Sequence, residues 1–258
     1  MKKSRFPLIM TLVVMIFLYL PIVILVINSF NESRFGGEWS GFTLKWYENL
    51  FKERSIWHAV SNSLIIAVSS TVAATILGSL AAFALYRYKH SKLQQFNYGL
   101  IYAPLILPDI LMGISLLIFF IFLNIKLGLF TIFIAHTTFC LSYVTMVLLS
   151  RLQNFDFALV EAAQDLGASN YQIFRKVLLP LLTPGILAGA LLAFTLSIDD
   201  FVITFFVAGP GSTTLPIYVY GMIKFGSPQL INALSTLLLA LTFCIVWLTH
   251  KLLGEESV

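Results

Sequence analysis

Apolar residues along this chain fall in long unbroken blocks, not at the three-to-four-residue spacing of an amphipathic surface helix. A bilayer crossing needs about 20 such residues, each adding about 1.5 Å. Six blocks meet that length: 8–27, 63–85, 98–123, 130–149, 181–207 and 231–248. The pattern predicts an all-α integral membrane protein of about six transmembrane helices. The first block follows Lys2, Lys3 and Arg5, as a signal peptide would, but runs on through Pro21 without a small-residue cleavage site. It reads as an uncleaved anchor. Small residues four apart, Ala74, Gly78 and Ala82 and again Gly185 and Gly189, let helices approach closely. No repeat or low-complexity linker is evident, so 1–258 reads as a single membrane domain.

Composition agrees. Hydrophobic residues make up 59% and charged residues 11%, and mean hydropathy is +0.90. A soluble domain needs far more charge to cover its surface. The net charge of +4 is informative through its placement, not its sum, and gives no sign of nucleic-acid binding. Lys2, Lys3, Arg5, Arg87, Lys89, Lys92, Arg151, Arg175, Lys176 and Lys251 all flank the blocks on one side. The other side has Lys126, Lys224 and a long loop at about 28–60, in which Arg34, Lys45, Lys52 and Arg54 are balanced by Glu32, Glu38, Glu48 and Glu53. Both termini are therefore expected in the cytoplasm. Cys140 and Cys244 sit in apolar runs and read as small hydrophobes, not a metal or redox pair. A P-loop-like glycine spacing at 36–43 has Phe42 where the phosphate-binding lysine belongs. No cofactor or metal is expected on this chain.

The connection at 151–185, RLQNFDFALVEAAQDLGASNYQIFRKVLLPLLTPG, does not look like slack chain. Asp156 can cap a helix running to Leu166, Gly167 can end it, and Ser169 with Gln172 forms a capping box for a second helix. Leu159, Ala162, Ala163 and Leu166 share one face of the first helix, and Tyr171, Phe174 and Val177 lie on the second. Two short helices around a glycine turn would present a compact knob to the cytoplasm. From composition alone, an unpartnered surface hairpin and a gripped one fit equally well.

Residues 161–186 resemble the EAA signature of binding-protein-dependent ABC importer permeases, which have a MetI-like transmembrane domain. The matching positions are Glu161, Ala162, Ala163, Gly167, Leu179 and Pro180. The resemblance implies that about 151–179 is a coupling segment, with Glu161, Ala162, Ala163, Asp165, Gly167, Leu179 and Pro180 contacting an ATPase subunit. Stretches at 28–51, 84–90, 108–117 and 195–210 are similar to permeases of spermidine/putrescine importers. By that similarity the chain is not itself an enzyme. It is expected in the bacterial inner membrane, paired with a second, different permease subunit, an ATPase dimer carrying ATP and Mg, and a periplasmic polyamine-binding protein.

Three acids lie within the apolar blocks: Asp199 and Asp200 in TLSIDDFVIT, and Asp109 after APLILP. A carboxylate at the bilayer centre costs on the order of 3 kcal/mol, so such residues normally face a cavity or a partner. On a straight helix Asp199 lies about 27 Å beyond residue 181, in the outer half of the membrane. Adjacent helical positions diverge by about 100°. One of Asp199 and Asp200 is therefore expected on a pathway and the other in a structural role, either paired or capping a break after Ser197, with the order left open. Asp109 would lie about 16 Å from Tyr98, near the midplane, and either lines a pathway or caps a helix restarting after Pro108. No lysine or arginine lies within the blocks to neutralise these acids, which suits a cationic guest such as a di- or triamine, charged because amine pKa values are near 10. Tyr102, Phe194 and Phe201 could add cation–π contact. Two other readings remain: the same kind of permease for another cationic solute, and a stand-alone cation transporter, which would not need the knob.

Overall fold

The computed structural model describes residues 6–33, 38–88, 92–153, 155–226 and 228–254. Lys2, Lys3, Arg5, Arg34, Lys89 and the glycine pair of the P-loop-like stretch lie outside the described residues. Those described are helical apart from connections and one isolated bridge between Asn31 and Phe42. The chain divides into two compact units, 1–57 with 218–258, and 58–217.

In the first unit, α1 (Phe6–Asn28) is apolar on every face and buries none of its side chains. A helix of that kind is solvated by lipid or by a partner helix. It packs on α12 (Pro228–Gly254), which also packs on α2 (Lys45–Lys52). The block pattern left α2 inside a loop, yet the segment around it is ordered. Asn31 is the organiser: its side-chain amide donates to the Glu38 carbonyl at 2.9 Å and accepts from the Ser40 amide at 3.1 Å. Its own carbonyl takes the Trp46 indole N–H at 2.8 Å. Phe30 stacks on Phe42, and Gln229 of α12 donates to the Ser33 carbonyl at 2.7 Å.

The second unit is built around α6 (Leu129–Gln153), which buries thirteen of its residues. Its most extensive partner is α9 (Leu179–Asp199), and α3 (Arg54–Arg87), which runs into this unit, packs against it as well. The small-residue spacings do what their sequence suggested. Ala74 and Ala82 are fully buried, and both Gly78 and Gly189 pack against the same residue, Val144 of α6. Thr145 donates to the Gly78 carbonyl at 3.2 Å, a hydrogen bond between helices that only close approach permits.

Two blocks are broken. The third, expected as one kinked span, is two helices, α4 (Lys92–Ile106) and α5 (Asp109–Phe122), bent by 113°. Pro104 stays inside α4; Pro108, extended at φ −59° and ψ 137°, makes the break. A proline disfavours helical geometry in the residue before it, which ends α4 here. The estimate of 16 Å between Tyr98 and Asp109 along one axis therefore fails. The fifth block ends as α9 at Asp199, and a short α10 (Val202–Val207) follows the extended Asp200. At its other end, α9 continues back through a π turn at Phe174–Leu178 into α8 (Asn170–Ile173), giving one 30-residue run from 170 to 199. The wider turn accommodates Pro180, whose ring would clash with the carbonyl four residues back in a regular helix. Four described segments are long and apolar enough to cross a membrane, α1, α3, α6 and 170–199, and the bent α4–α5 pair counts as a fifth. The connections hold α7 (Ala158–Asp165) and α11 (Leu215–Phe225), the second not foreseen.

Candidate functional site

The two breaks meet at a cavity of about 300 Å³ in the second unit, at the small end of the range of about 300–1,000 Å³ for small-molecule sites. Its walls include Pro104 of α4, Asp109 of α5, Phe139 and Tyr143 of α6, and Thr195 to Ile203 in part across the α9–α10 break. The lining contains three carboxylates and no lysine or arginine. Asp109, Asp199, Asp200 and Phe201, singled out in the sequence, are brought together here. Tyr102 and Phe194 are not on the wall; Tyr102 instead stacks on Tyr98 at 5.2 Å. Tyr143 and Thr195, which the sequence reading passed over, are.

The acids differ in their surroundings. Asp109, the first residue of α5, and Asp199, the last of α9, are exposed to the cavity. The Asp200 side chain is only 9% exposed. Its carboxylate accepts the Thr204 amide at 2.7 Å, the Thr204 hydroxyl at 2.6 Å and the Ile203 amide at 3.3 Å. It thereby satisfies the backbone donors that the helix break would leave bare in a medium without water. The structural role offered for one of the two aspartates, capping a break, falls to Asp200. The break comes after Asp199, two residues beyond the expected point.

Asp200 also lies 3.2 Å from Nε2 of His136, a 1%-exposed side chain two turns into α6. His136 Nδ1 lies 2.7 Å from the Ser197 hydroxyl, which is 2.9 Å from that of Ser70 on α3. The network joins α3, α6, α9 and α10. The expectation that no basic group inside the spans attends the acids considered lysine and arginine only. The signal for His136 was present: an ionisable residue in the middle of an apolar block.

The 151–185 connection keeps its expected caps and glycine turn, but its second helix is not a separate short one: it opens the run that continues to Asp199. Asp156 sits one residue before the cap at Phe157 and accepts the Ala158 amide at 3.0 Å. Gly167 takes φ +77° and ends the helix, its N–H donating to the Gln164 carbonyl at 2.8 Å while Ala168 donates to Ala163 at 3.0 Å. The Ser169–Gln172 capping box is formed in both directions. Tyr86 of α3 stacks on Phe157 at 5.0 Å, and Phe83 meets Phe174 edge-on, so the hairpin rests on the end of α3. Of the predicted apolar face, Ala163 is half-buried, whereas Leu159, Ala162 and Leu166 are exposed, Leu166 to 88%. Glu161, Asp165 and Gly167 are exposed too, and Leu179 and Pro180 lie at the start of α9.

An all-helical, lipid-embedded bundle with an acid-lined cavity at two helix breaks defines a class: the membrane-spanning component of a solute transporter. The chain belongs to the family of binding-protein-dependent transport system inner membrane components, which it matches over residues 74–252. It is 47% identical to the spermidine/putrescine transport system permease protein PotC of Escherichia coli (strain K12), covering 93% of this chain and 90% of that one. The putrescine transport system permease protein PotI of the same organism is 42% identical, with 92% and 86% covered. Among solved structures, a bacterial ABC transporter involved in the import of the acidic polysaccharide alginate has a chain with TM-score 0.70 at 16% identity, with 99% of both chains covered. The MetNI methionine ABC transporter has one with TM-score 0.62 at 18% identity, covering 84% of this chain and all of that one. These structural likenesses show the fold. The chain is a multi-pass inner-membrane permease subunit.

Proposed function

We propose that this subunit forms half of the translocation pathway of an ATP-driven importer of polyamines, spermidine or putrescine. The observation that carries this reading is the cavity wall, where Asp109 and Asp199 present exposed carboxylates with no lysine or arginine beside them. Ammonium groups are the matching guests, and Tyr143, Phe139 and Phe201 offer aromatic faces to the methylene chain between them. The names of the relatives agree, and an anionic solute would be repelled.

The exposed hairpin is the proposed seat of the ATPase. Leu159, Ala162 and Leu166 share one exposed face of the hairpin, and a contiguous apolar patch of that kind is where a partner docks. Gripped there, the continuous run from 170 to 199 would carry displacement from the cytoplasm to the cavity wall. Six crossings with both termini cytoplasmic, a second permease subunit, a periplasmic binding protein, and ATP and Mg held by the ATPase complete the assembly. No cofactor is assigned to this chain.

The test is uptake of labelled putrescine and spermidine by proteoliposomes containing the whole transporter and its binding protein. Asp199→Asn and Asp109→Asn should each lower uptake by about tenfold or more, the scale of losing one charge-assisted contact of about 1.5–3 kcal/mol. Wild-type rates in both variants would remove the acids from the pathway, and uptake of another cation in place of polyamine would reassign the substrate.

A further inference from the structure

The hydrogen count around His136 constrains what it does. Thr204 has one hydroxyl proton, and its shortest contact, 2.6 Å, is to Asp200 Oδ2. Nε2 of His136 lies 2.8 Å from that hydroxyl oxygen and 3.2 Å from the same carboxylate oxygen. With the threonine proton committed, an unprotonated Nε2 would set its lone pair against two oxygens, so Nε2 carries the hydrogen. On the other side, Ser70 lies within reach of both the Ile66 carbonyl at 2.7 Å and Ser197 at 2.9 Å. If Ser70 donates to Ile66, Ser197 donates to Ser70 and Nδ1 must also carry a proton. If Ser70 instead donates to Ser197, then Ser197 donates to Nδ1 and the ring is neutral. Rotating hydroxyls accommodates either state, and in both Nε2–H points at Asp200 and Thr204.

We propose that His136 is a positioning residue for transport: it commits Asp200 to capping α10 and so leaves Asp199 and Asp109 as the carboxylates that meet the cation. This rests on reading the cavity as the pathway. The geometry explains how neighbouring aspartates take different duties. Asp200 has four donors directed at it from α6 and α10, while Asp199, one residue earlier, is exposed to the cavity. A bound ammonium would have to displace those donors to reach Asp200, and it meets none of them at Asp199.

The experiment uses the complete transporter in proteoliposomes. Breaking a buried pair by removing one partner is the costly change, so H136L should lower uptake by about tenfold or more, whereas H136Q, whose amide still donates, should stay within about threefold. In an Asp200→Asn background, H136L should cost less than about twofold, because the buried carboxylate that Nε2–H serves is gone. A purely architectural histidine would show its full loss in both backgrounds, and that result overturns the proposal. In a second arm, with both native cysteines replaced by alanine and His136 in place, Asp199→Cys and Asp200→Cys variants are treated with a cationic methanethiosulfonate reagent. The Asp199→Cys thiol should react at least about tenfold faster, as reactivity follows exposure; equal rates also overturn it. These rates are read without polyamine, so they decide the division of labour whichever cation is carried, while wild-type uptake separately tests the substrate.

Discussion

Gly78 and Gly189 pack on the same valine from opposite helices, yet they should respond differently to an added methyl group. A Cβ at Gly78 would lie 2.9 Å from Val144 Cβ, 3.0 Å from Val144 Cγ1 and 3.0 Å from the backbone oxygen of Leu141. None of these is the free end of a flexible side chain, so α3 and α6 must move apart. Overpacking costs about 1–3 kcal/mol, and with a backbone oxygen and a β-branched side chain as the close atoms the upper part of that range, about 2–3 kcal/mol, applies; alanine recovers about 1 kcal/mol of helix propensity. The clash wins: Gly78→Ala should destabilise by about 1–2 kcal/mol, a midpoint shift of about 2–8 °C at about 2–4 °C per kcal/mol. At Gly189 the nearest atoms are at 3.4, 3.5 and 3.7 Å, which is ordinary contact. Gly189→Ala should be neutral or stabilising by up to about 1 kcal/mol, because only the propensity gain remains. Val144→Ala should not fully restore Gly78→Ala, since the Leu141 oxygen stays where it is. Thermal denaturation of the purified transporter in detergent, followed by loss of the monodisperse complex, reads both variants. Equal losses in the two would refute the reasoning, as would a Gly78→Ala protein as stable as wild type.

Two further outcomes concern the hairpin. Leu166→Asp should leave the fold of the chain within about 0.5 kcal/mol, since the side chain is 88% exposed, while reducing co-purification of the ATPase subunit; unchanged co-purification would count against docking at this face. Ser169→Ala removes the capping oxygen of α8, worth about 1 kcal/mol, and should speed hydrogen exchange of amides 170–173 by about fivefold without affecting those of α9, which mass spectrometry can follow.

Much of the architecture could be read from the sequence because lipid imposes a simple rule: a crossing segment must satisfy its own backbone and be apolar for its whole length. That rule marked out α1, α3, α6 and α9. Where other physics decides, the block pattern was silent. The charged, tryptophan-containing α2 is held by a local network around Asn31, and α11 is too short to register. The third and fifth blocks were apolar enough to pass as continuous. Their breaks were signalled by Pro108 and by Asp200, whose capping function depends on donors several residues later. His136 escaped notice because its partners are far along the chain: Ser70 and Ser197 in its network are 127 residues apart, and Thr204 is 68 residues from His136. The hairpin was clearer, since capping boxes and glycine stops act within four residues.

The direction in which each acid meets its helix adds an argument that composition cannot supply. Helix N-termini favour negative charge and C-termini disfavour it. Asp109 opens α5, where the helix N-terminus favours its negative charge. Asp200 takes the Ile203 and Thr204 amides of α10 and has His136 beside it. Asp199 closes α9, where the last carbonyls of a 21-residue helix add to its negative potential instead of opposing it. Of the three it has the least compensation from its own chain, and it faces the open space. A carboxylate held that way in a membrane protein is costly unless something positive visits it. That supports the proposed meeting of Asp199 with a mobile cation.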